Sequence, residues 1–445
     1  MVFRRLFERR ETRPADNPAG AEEDTEVEVS AADEQLADEA PPEDVLDFDW
    51  RARALRSLPT GASTGSKRAE ALYGSADAAG PTHFVRAMGC RVVDASGATY
   101  IDCTMALGAV ALGYAEPRVT QAVIEAVAAG NVAGLSSARE VELAERLCSV
   151  IPCAEQVQFL KTGAEAVAAA VRLARTYTGR DAVVASGYFG WLDWASEARG
   201  VPAGVRADVR RIPFDDVAAL ERAVSDAGSR LAAVVIEPVV ERMPSEQWIA
   251  RARSLCDDAG SVLIFDEIKT GFRLQPGGYQ ELAGVTPDLA TFGKALANGY
   301  PLAVVCGRRD LMQAARDTWI SSTLASESTA LAAAGAVLDW HEHAEICDAL
   351  ASAGRELRQS VASAIDASGV GGVTVDGIDP MWLLRFDDAA RERRFLELAA
   401  AEGVLFKRGA YNYASVAHDE ETIRAVEAGA SAAFVSLRDE EQAAE

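Results

Sequence analysis

Val262-Leu263-Ile264-Phe265-Asp266-Glu267-Ile268-Lys269-Thr270-Gly271-Phe272-Arg273 opens with an unbroken apolar run that stops on two carboxylates. A short run without polar alternation predicts a strand covered on both faces, and such strands belong to parallel sheets sandwiched by helices. Similar runs stand at 182–185, 232–237 and 302–306. Between them, apolar residues at helical spacing predict helices over 165–177, 247–259 and 328–341. This alternation predicts an α/β fold whose central sheet is mostly parallel. Toward the C-terminus the rhythm changes: a strand is expected at 382–386 and helices near 389–402 and 420–437, which suggests a smaller α+β domain.

Of 445 residues, 44 are Lys or Arg and 68 are Asp or Glu, a net charge of -24. That sign repels a phosphate backbone, so no nucleic acid partner is expected. No stretch approaches the roughly 20 apolar residues of a membrane helix, and the start lacks the apolar segment of a secretory signal. Cytoplasmic residence without a membrane partner is therefore expected. Residues 1–50 hold 5 Arg and 16 Asp or Glu, a net of -11. With so little apolar surface to bury, this segment is expected to be a disordered acidic tail. The Cys residues number seven and never stand as Cys-x-x-Cys, so reduced thiols are expected.

Three motif matches fail on their surroundings. Gly61-Ala62-Ser63-Thr64-Gly65 fits G-x-S-x-G, but it follows Leu58-Pro59 and precedes no helical pattern, so the strand–elbow–helix of a hydrolase is missing. The acidic end of 262–266 looks like the magnesium-holding strand of P-loop ATPases, yet the chain has no G-x-x-x-x-G-K-[ST]. His341 and His343 stand two apart and point to different faces of a helix, so no metal centre is expected.

Lysine is scarce: only Lys67, Lys161, Lys269, Lys294 and Lys407 occur. Imine chemistry needs a lysine, because arginine does not give up its proton. Lys294 follows the stretch Leu289-Ala290-Thr291-Phe292-Gly293, where low dielectric lowers an amine's proton affinity. The plainer reading is a surface lysine with its stem on apolar neighbours. Asp266 ends its strand on the side where α/β sheets bind ligands, and a carboxylate there suits a protonated pyridine nitrogen; a turn or cap Asp is the alternative. Thr162 and Glu165 have capping-box spacing, and the helix start at Thr162, Gly163 and Ala164 also suits a phosphate. In Gly187-Tyr188-Phe189-Gly190-Trp191-Leu192-Asp193-Trp194, Trp191 and Trp194 read as core, while Tyr188 is placed to offer its face to a flat ring.

Together these residues resemble the class III family of pyridoxal-phosphate-dependent aminotransferases, of fold type I. The branch is the one that includes glutamate-1-semialdehyde 2,1-aminomutase. Residues 265–273, then Thr286-Pro287-Asp288-Leu289, then Gly293-Lys294 stand in the family's order and spacing, and the resemblance spans roughly residues 55–435. It implies a large cofactor-binding domain (106–345) and a small domain built from both chain ends (51–105 and 346–445). It makes Lys294 the internal-aldimine lysine and Asp266 the partner of the pyridinium nitrogen. Ile268 and Tyr188 would cover the two ring faces, and Thr162, Gly163 and Ala164 would hold the phosphate. Thr323 matches the residue that reaches the phosphate of the neighbouring subunit, which implies a homodimer with the active site at the subunit interface.

The chain departs from the pattern near the substrate. Phe189 stands where a His is usual, Val239-Val240-Glu241-Arg242-Met243-Pro244 replaces a Gly-Asn loop, and Ser326-Glu327-Ser328-Thr329 replaces an Asn-Pro. The last of these resembles aminotransferases acting on sugars or secondary metabolites. Lys67, Arg68, Phe189 and Glu327 are therefore the substrate candidates, with Lys67 or Arg68 facing an acidic group. The expected reaction moves an amino group from an amino donor to a carbonyl acceptor: a keto sugar, a semialdehyde or a secondary-metabolite intermediate. An aminomutase is the alternative, and a non-catalytic binding protein of the same fold is the remaining one.

Overall fold

The computed structural model describes residues 50–444. The expected acidic tail lies outside the described residues except for Trp50, which opens the helix Trp50–Ser57. β1 (Phe84–Met88), β2 (Arg91–Asp94) and β3 (Thr99–Asp102) form an antiparallel meander. β3 also pairs in parallel with β13 (Val404–Leu405), Val404 opposite Ile101, so segments from both halves of the chain meet in one sheet.

The central sheet has seven strands: β4 (Gln156–Leu160), β5 (Ala182–Ser186), β6 (Val209–Arg211), β7 (Leu231–Ile236), β8 (Val262–Asp266), β9 (Leu289–Phe292) and β10 (Ala303–Gly307). Their order is β4-β10-β9-β8-β7-β5-β6, and only β10 runs against its neighbours. Alternate residues of β7 and β8 enter two different cores. Ala233, Val235 and Ile264 pack under the helix Gly163–Thr178 through Ala166, Val167 and Leu173. Val234, Ile236, Leu263 and Phe265 join Trp248, Ile249 and Ala252 of the helix Glu246–Ala259. Two covered faces explain why these strands read as unbroken apolar runs. β4 is hidden in the hydropathy pattern by Gln156 and Gln158, and β9 by its length and by Thr291.

A third sheet, β11 (Val373–Ile378), β12 (Met381–Phe386) and β14 (Asn412–Tyr413), lies beside the helices Ile346–Ser368, Ala389–Ala401 and Glu420–Ala444. Phe395 and Phe434 stack at 4.2 Å between centroids in its core. Among the described residues no helix is long and apolar enough to cross a membrane.

His341 lies edge-on to the Phe272 ring at 5.4 Å, and its buried Nδ1 has no partner among the described residues. Burial pushes its pKa down to about 4. The folded state therefore binds fewer protons here than the unfolded chain between about pH 6.5 and 4, and stability drains away as pH falls through that window. His341→Leu removes the penalty. The variant's stability advantage over the parent is expected to grow by about 3 kcal/mol between pH 7.5 and 4, measured by denaturant melts at several pH values.

Candidate active site

β8 and β9 are parallel neighbours, and their C-terminal ends carry the two central candidates. Asp266 closes β8 opposite Thr291, and Lys294 follows β9 across Gly293. Lys294 takes a φ of +48°, a left-handed backbone that strains any residue with a side chain. Asp266 is buried, and its Oδ1 accepts the Ile268 amide at 3.0 Å and the Thr291 hydroxyl at 3.3 Å. Its Oδ2 has no partner among the described residues. Burial first, and then the charge of Glu237, push its pKa up; the Ile268 amide and the charges on Lys294 and Lys269 work against that rise. The Lys294 amine also has no partner among the described residues, and burial followed by the Lys269 charge pushes its pKa down. The site thus holds an acceptor oxygen and an amine that make no hydrogen bond or ion pair among the described residues.

Two further strand ends close around them. After β4, Thr162 Oγ1 accepts the Glu165 amide at 3.3 Å, and Glu165 Oε2 accepts the Thr162 amide at 2.9 Å. This is the expected capping box, and it leaves the Gly163 and Ala164 amides, the first two of the helix, without intrahelical acceptors. After β5, the loop carrying Tyr188 approaches that helix so closely that a Cβ on Gly190 would sit 2.4 Å from the Ala164 Cβ. Only glycine fits there, and its φ of +84° points the same way. The Tyr188 side chain is 73% exposed, so its ring is free to meet a ligand. Ile268 lies against Gly163 and Gly293, where an added Cβ would meet its Cδ1 at 3.1 Å in both cases. Lys294, Asp266, Ile268 and the Thr162–Gly163–Ala164 turn are thus gathered in one place.

Other candidates stand elsewhere or are engaged. Phe189 is 1% exposed, stacked on Trp194 at 5.9 Å and covered by Arg211, so it is a core residue with no face for a substrate. Trp194 is buried as expected, but Trp191 is 74% exposed, against the reading of it as core. Glu327 caps the helix Ser328–His343 through the Thr329 and Ala330 amides and pairs with Lys161 at 2.8 Å. Its oxygens are committed to the protein and are not open to a substrate. Lys67 lines a cavity of ≈ 220 Å³ with Tyr73, Tyr100 and Phe406, whose walls include neither Asp266 nor Lys294; Arg68 stands next to it in the chain. Thr323 is exposed on the loop before Ser328.

Two contributors are not singled out by the sequence. Glu237, just after β7, pairs with Lys269 at 2.6 Å and accepts the Tyr188 amide at 2.9 Å. Arg273 is fully buried, donating from Nε to the Lys269 carbonyl at 3.0 Å and from Nη2 to the Gly108 carbonyl. The scarcity of lysine and its place in the stretch 265–273 were the signals pointing to Lys269.

The family model for aminotransferase class-III matches residues 74–193 and 200–418. The chain is 36% identical to a 3-aminobutyryl-CoA aminotransferase of Cloacimonas acidaminovorans, over 65% of this chain and 72% of that protein. It is 31% identical to a glutamate-1-semialdehyde 2,1-aminomutase of Polynucleobacter necessarius, over 86% of this chain and 97% of that one. The solved structure of the FumI protein of Sphingopyxis sp. MTA144, in its PLP internal aldimine form, superposes with a TM-score of 0.84 at 26% identity, covering 88% of this chain and 97% of that chain.

Pyridoxal phosphate fits the residues present. The unpaired Asp266 oxygen suits a pyridinium N–H, the unpaired amine suits an aldehyde, and the free Gly163 and Ala164 amides suit a phosphate. Matched across most of its length and carrying this donor set, the chain belongs to the class III aminotransferase family and is a pyridoxal-phosphate-dependent transaminase.

Proposed function

We propose that the enzyme moves an amino group from an amino donor to a carbonyl acceptor of the semialdehyde, keto-sugar or secondary-metabolite class, with Lys294 as its acid/base. The observation that carries this reading is the placing of Asp266 and Lys294 at the C-terminal ends of adjacent parallel strands, with Asp266 Oδ2 and the Lys294 amine free of hydrogen-bond partners among the described residues. When bound, pyridoxal phosphate supplies an aldehyde that captures the amine and a pyridinium that draws electrons from the neighbouring C–H bond. Asp266 Oδ2 would accept the ring N–H and favour its protonated form, a cation answering the raised proton affinity of this buried carboxyl. Ile268 and Tyr188 hold the ring between them, and the helix start at Thr162, Gly163 and Ala164 holds the phosphate. Lys294 Nζ takes the proton from the substrate's amine-bearing carbon and returns it.

The working unit in this reading is a homodimer. Ile124, Val127, Val132 and Leu135 are exposed, as are Trp319 and Leu324, and the Ser328 and Thr329 amides donate to Asn131. Those bonds join Asn131 to the start of the helix Ser328–His343, and exposed apolar residues of the kind that partners cover stand on the segments leading to both. Thr323, exposed on the segment before Ser328, would reach the neighbouring subunit's phosphate. An aminomutase remains the second reading, because the aminomutase relative is matched over 97% of its length.

A panel of amino donors decides between the two. A transaminase releases the keto product of one donor in the absence of any acceptor, and the loaded protein bleaches in step. Conversion of an amino-aldehyde to the isomeric amino-ketone with no separate donor or acceptor consumed would favour the mutase. Because Lys67 lines a cavity apart from Asp266 and Lys294, replacing both Lys67 and Arg68 by Met is expected to leave the KM of an acidic substrate and its salt dependence unchanged. A KM raised about tenfold, with a flattened salt dependence, would return both residues to the substrate site.

A further inference from the structure

Two of the chain's five lysines share one site, and only one of them is tied down. The Lys269 amine lies 2.6 Å from Glu237 and 4.2 Å from the centre of the Tyr411 ring. Its carbonyl accepts Arg273 Nε at 3.0 Å. The other oxygen of Glu237 accepts the Tyr188 amide. One buried carboxylate therefore links Lys269, whose chain neighbour Ile268 lies against Gly293 next to Lys294, to the loop that carries Tyr188. Stability does not account for such a pair, because apolar side chains of similar volume serve a fold as well or better.

We propose that Lys269 and Glu237 form a positioning pair, in which Lys269 supplies the fixed positive charge that keeps the Lys294 amine usable, while Glu237 anchors both Lys269 and the Tyr188 loop. This rests on the role given to Lys294 above. The charged groups facing Lys294 are Lys269, Arg273, Asp266 and Glu237. Lys269 and Arg273 drive the proton off Lys294, whereas Glu237 and Asp266 hold it there, and Lys269 is the strongest of the four charges. Lys269 also favours the ionised form of Asp266, which Glu237 opposes. The two partners thus push the site's proton affinity in opposite directions.

The test is a pH titration of the visible band of the cofactor-loaded enzyme, in the parent, Lys269→Met, Lys269→Arg and Glu237→Gln. Lys269→Met is expected to move the midpoint up by about one pH unit, and Glu237→Gln to move it down. Lys269→Arg is expected to restore the parent value. An unmoved or lowered midpoint in Lys269→Met overturns the proposal. Should that variant not fold, an unmoved or raised midpoint in Glu237→Gln overturns it instead. A parent protein with no visible band sinks the reading of Lys294 itself, whereas a parent band with unmoved variants sinks the pair alone.

Discussion

Lys294→Ala lowers kcat/KM by at least about 10⁴-fold and abolishes the visible band of the loaded protein. Proton transfer by a positioned group contributes about 10²–10⁴-fold, and losing the covalent attachment of the cofactor adds to that. The loss is expected without a matching loss of stability. The Lys294 amine has no hydrogen-bond or ion-pair partner among the described residues, so its removal leaves no orphaned bond. A cofactor-free variant that melts no lower than the parent, yet turns over no substrate, separates the catalytic role from a structural one. A small added amine, entering the space left by the side chain, is expected to restore part of the half-reaction. A variant that keeps more than about a tenth of the parent rate would remove Lys294 from the chemistry.

Asp266→Asn is the second large effect, and it isolates charge from shape. An amide at this position keeps an oxygen for the Ile268 amide and the Thr291 hydroxyl, the two bonds that fix the side chain. It loses the negative charge that answers the ring nitrogen. Removing one preorganised electrostatic partner costs about 10²–10³-fold, and the loss here is expected near the upper end because the site is buried. The Asp266 charge also holds the proton on Lys294, so the visible band of the variant should titrate at lower pH than the parent's. Single-turnover rates with one amino donor, together with that titration, check both. Retention of the parent rate would show that the carboxylate is a turn residue.

Much of this was legible because burial leaves a mark on composition. β8 is covered on both faces, so it reads as one apolar run, and Asp266 stands out as the charge that ends it. Lys294 stands out for the opposite reason, since a chain with 5 lysines has few residues able to do its chemistry. The helix start at Thr162 carries its own local signature, the capping box. What stayed hidden depends on contacts that sequence spacing does not encode. Glu237 and Lys269 meet because β7 and β8 are neighbours in the sheet, although the segment between them contains a whole helix. Tyr188 and Phe189 both read as ligand-facing in the sequence, but the loop turns the Phe189 ring into the core and leaves Tyr188 exposed. Glu327 looked free for a substrate until the helix it caps was seen to use its oxygens. The left-handed run at Met105, Ala106 and Leu107, next to the carbonyl that Arg273 holds, leaves no trace in residue type at all.

Reduction of the loaded enzyme with borohydride, followed by peptide mass mapping, tests the central claim most directly. The reagent fixes the cofactor to whichever lysine it is bonded to, and the chain offers only five. The account predicts the label on the peptide containing Lys294 and on no other. A label on Lys269, on Lys161 or on no lysine would contradict it.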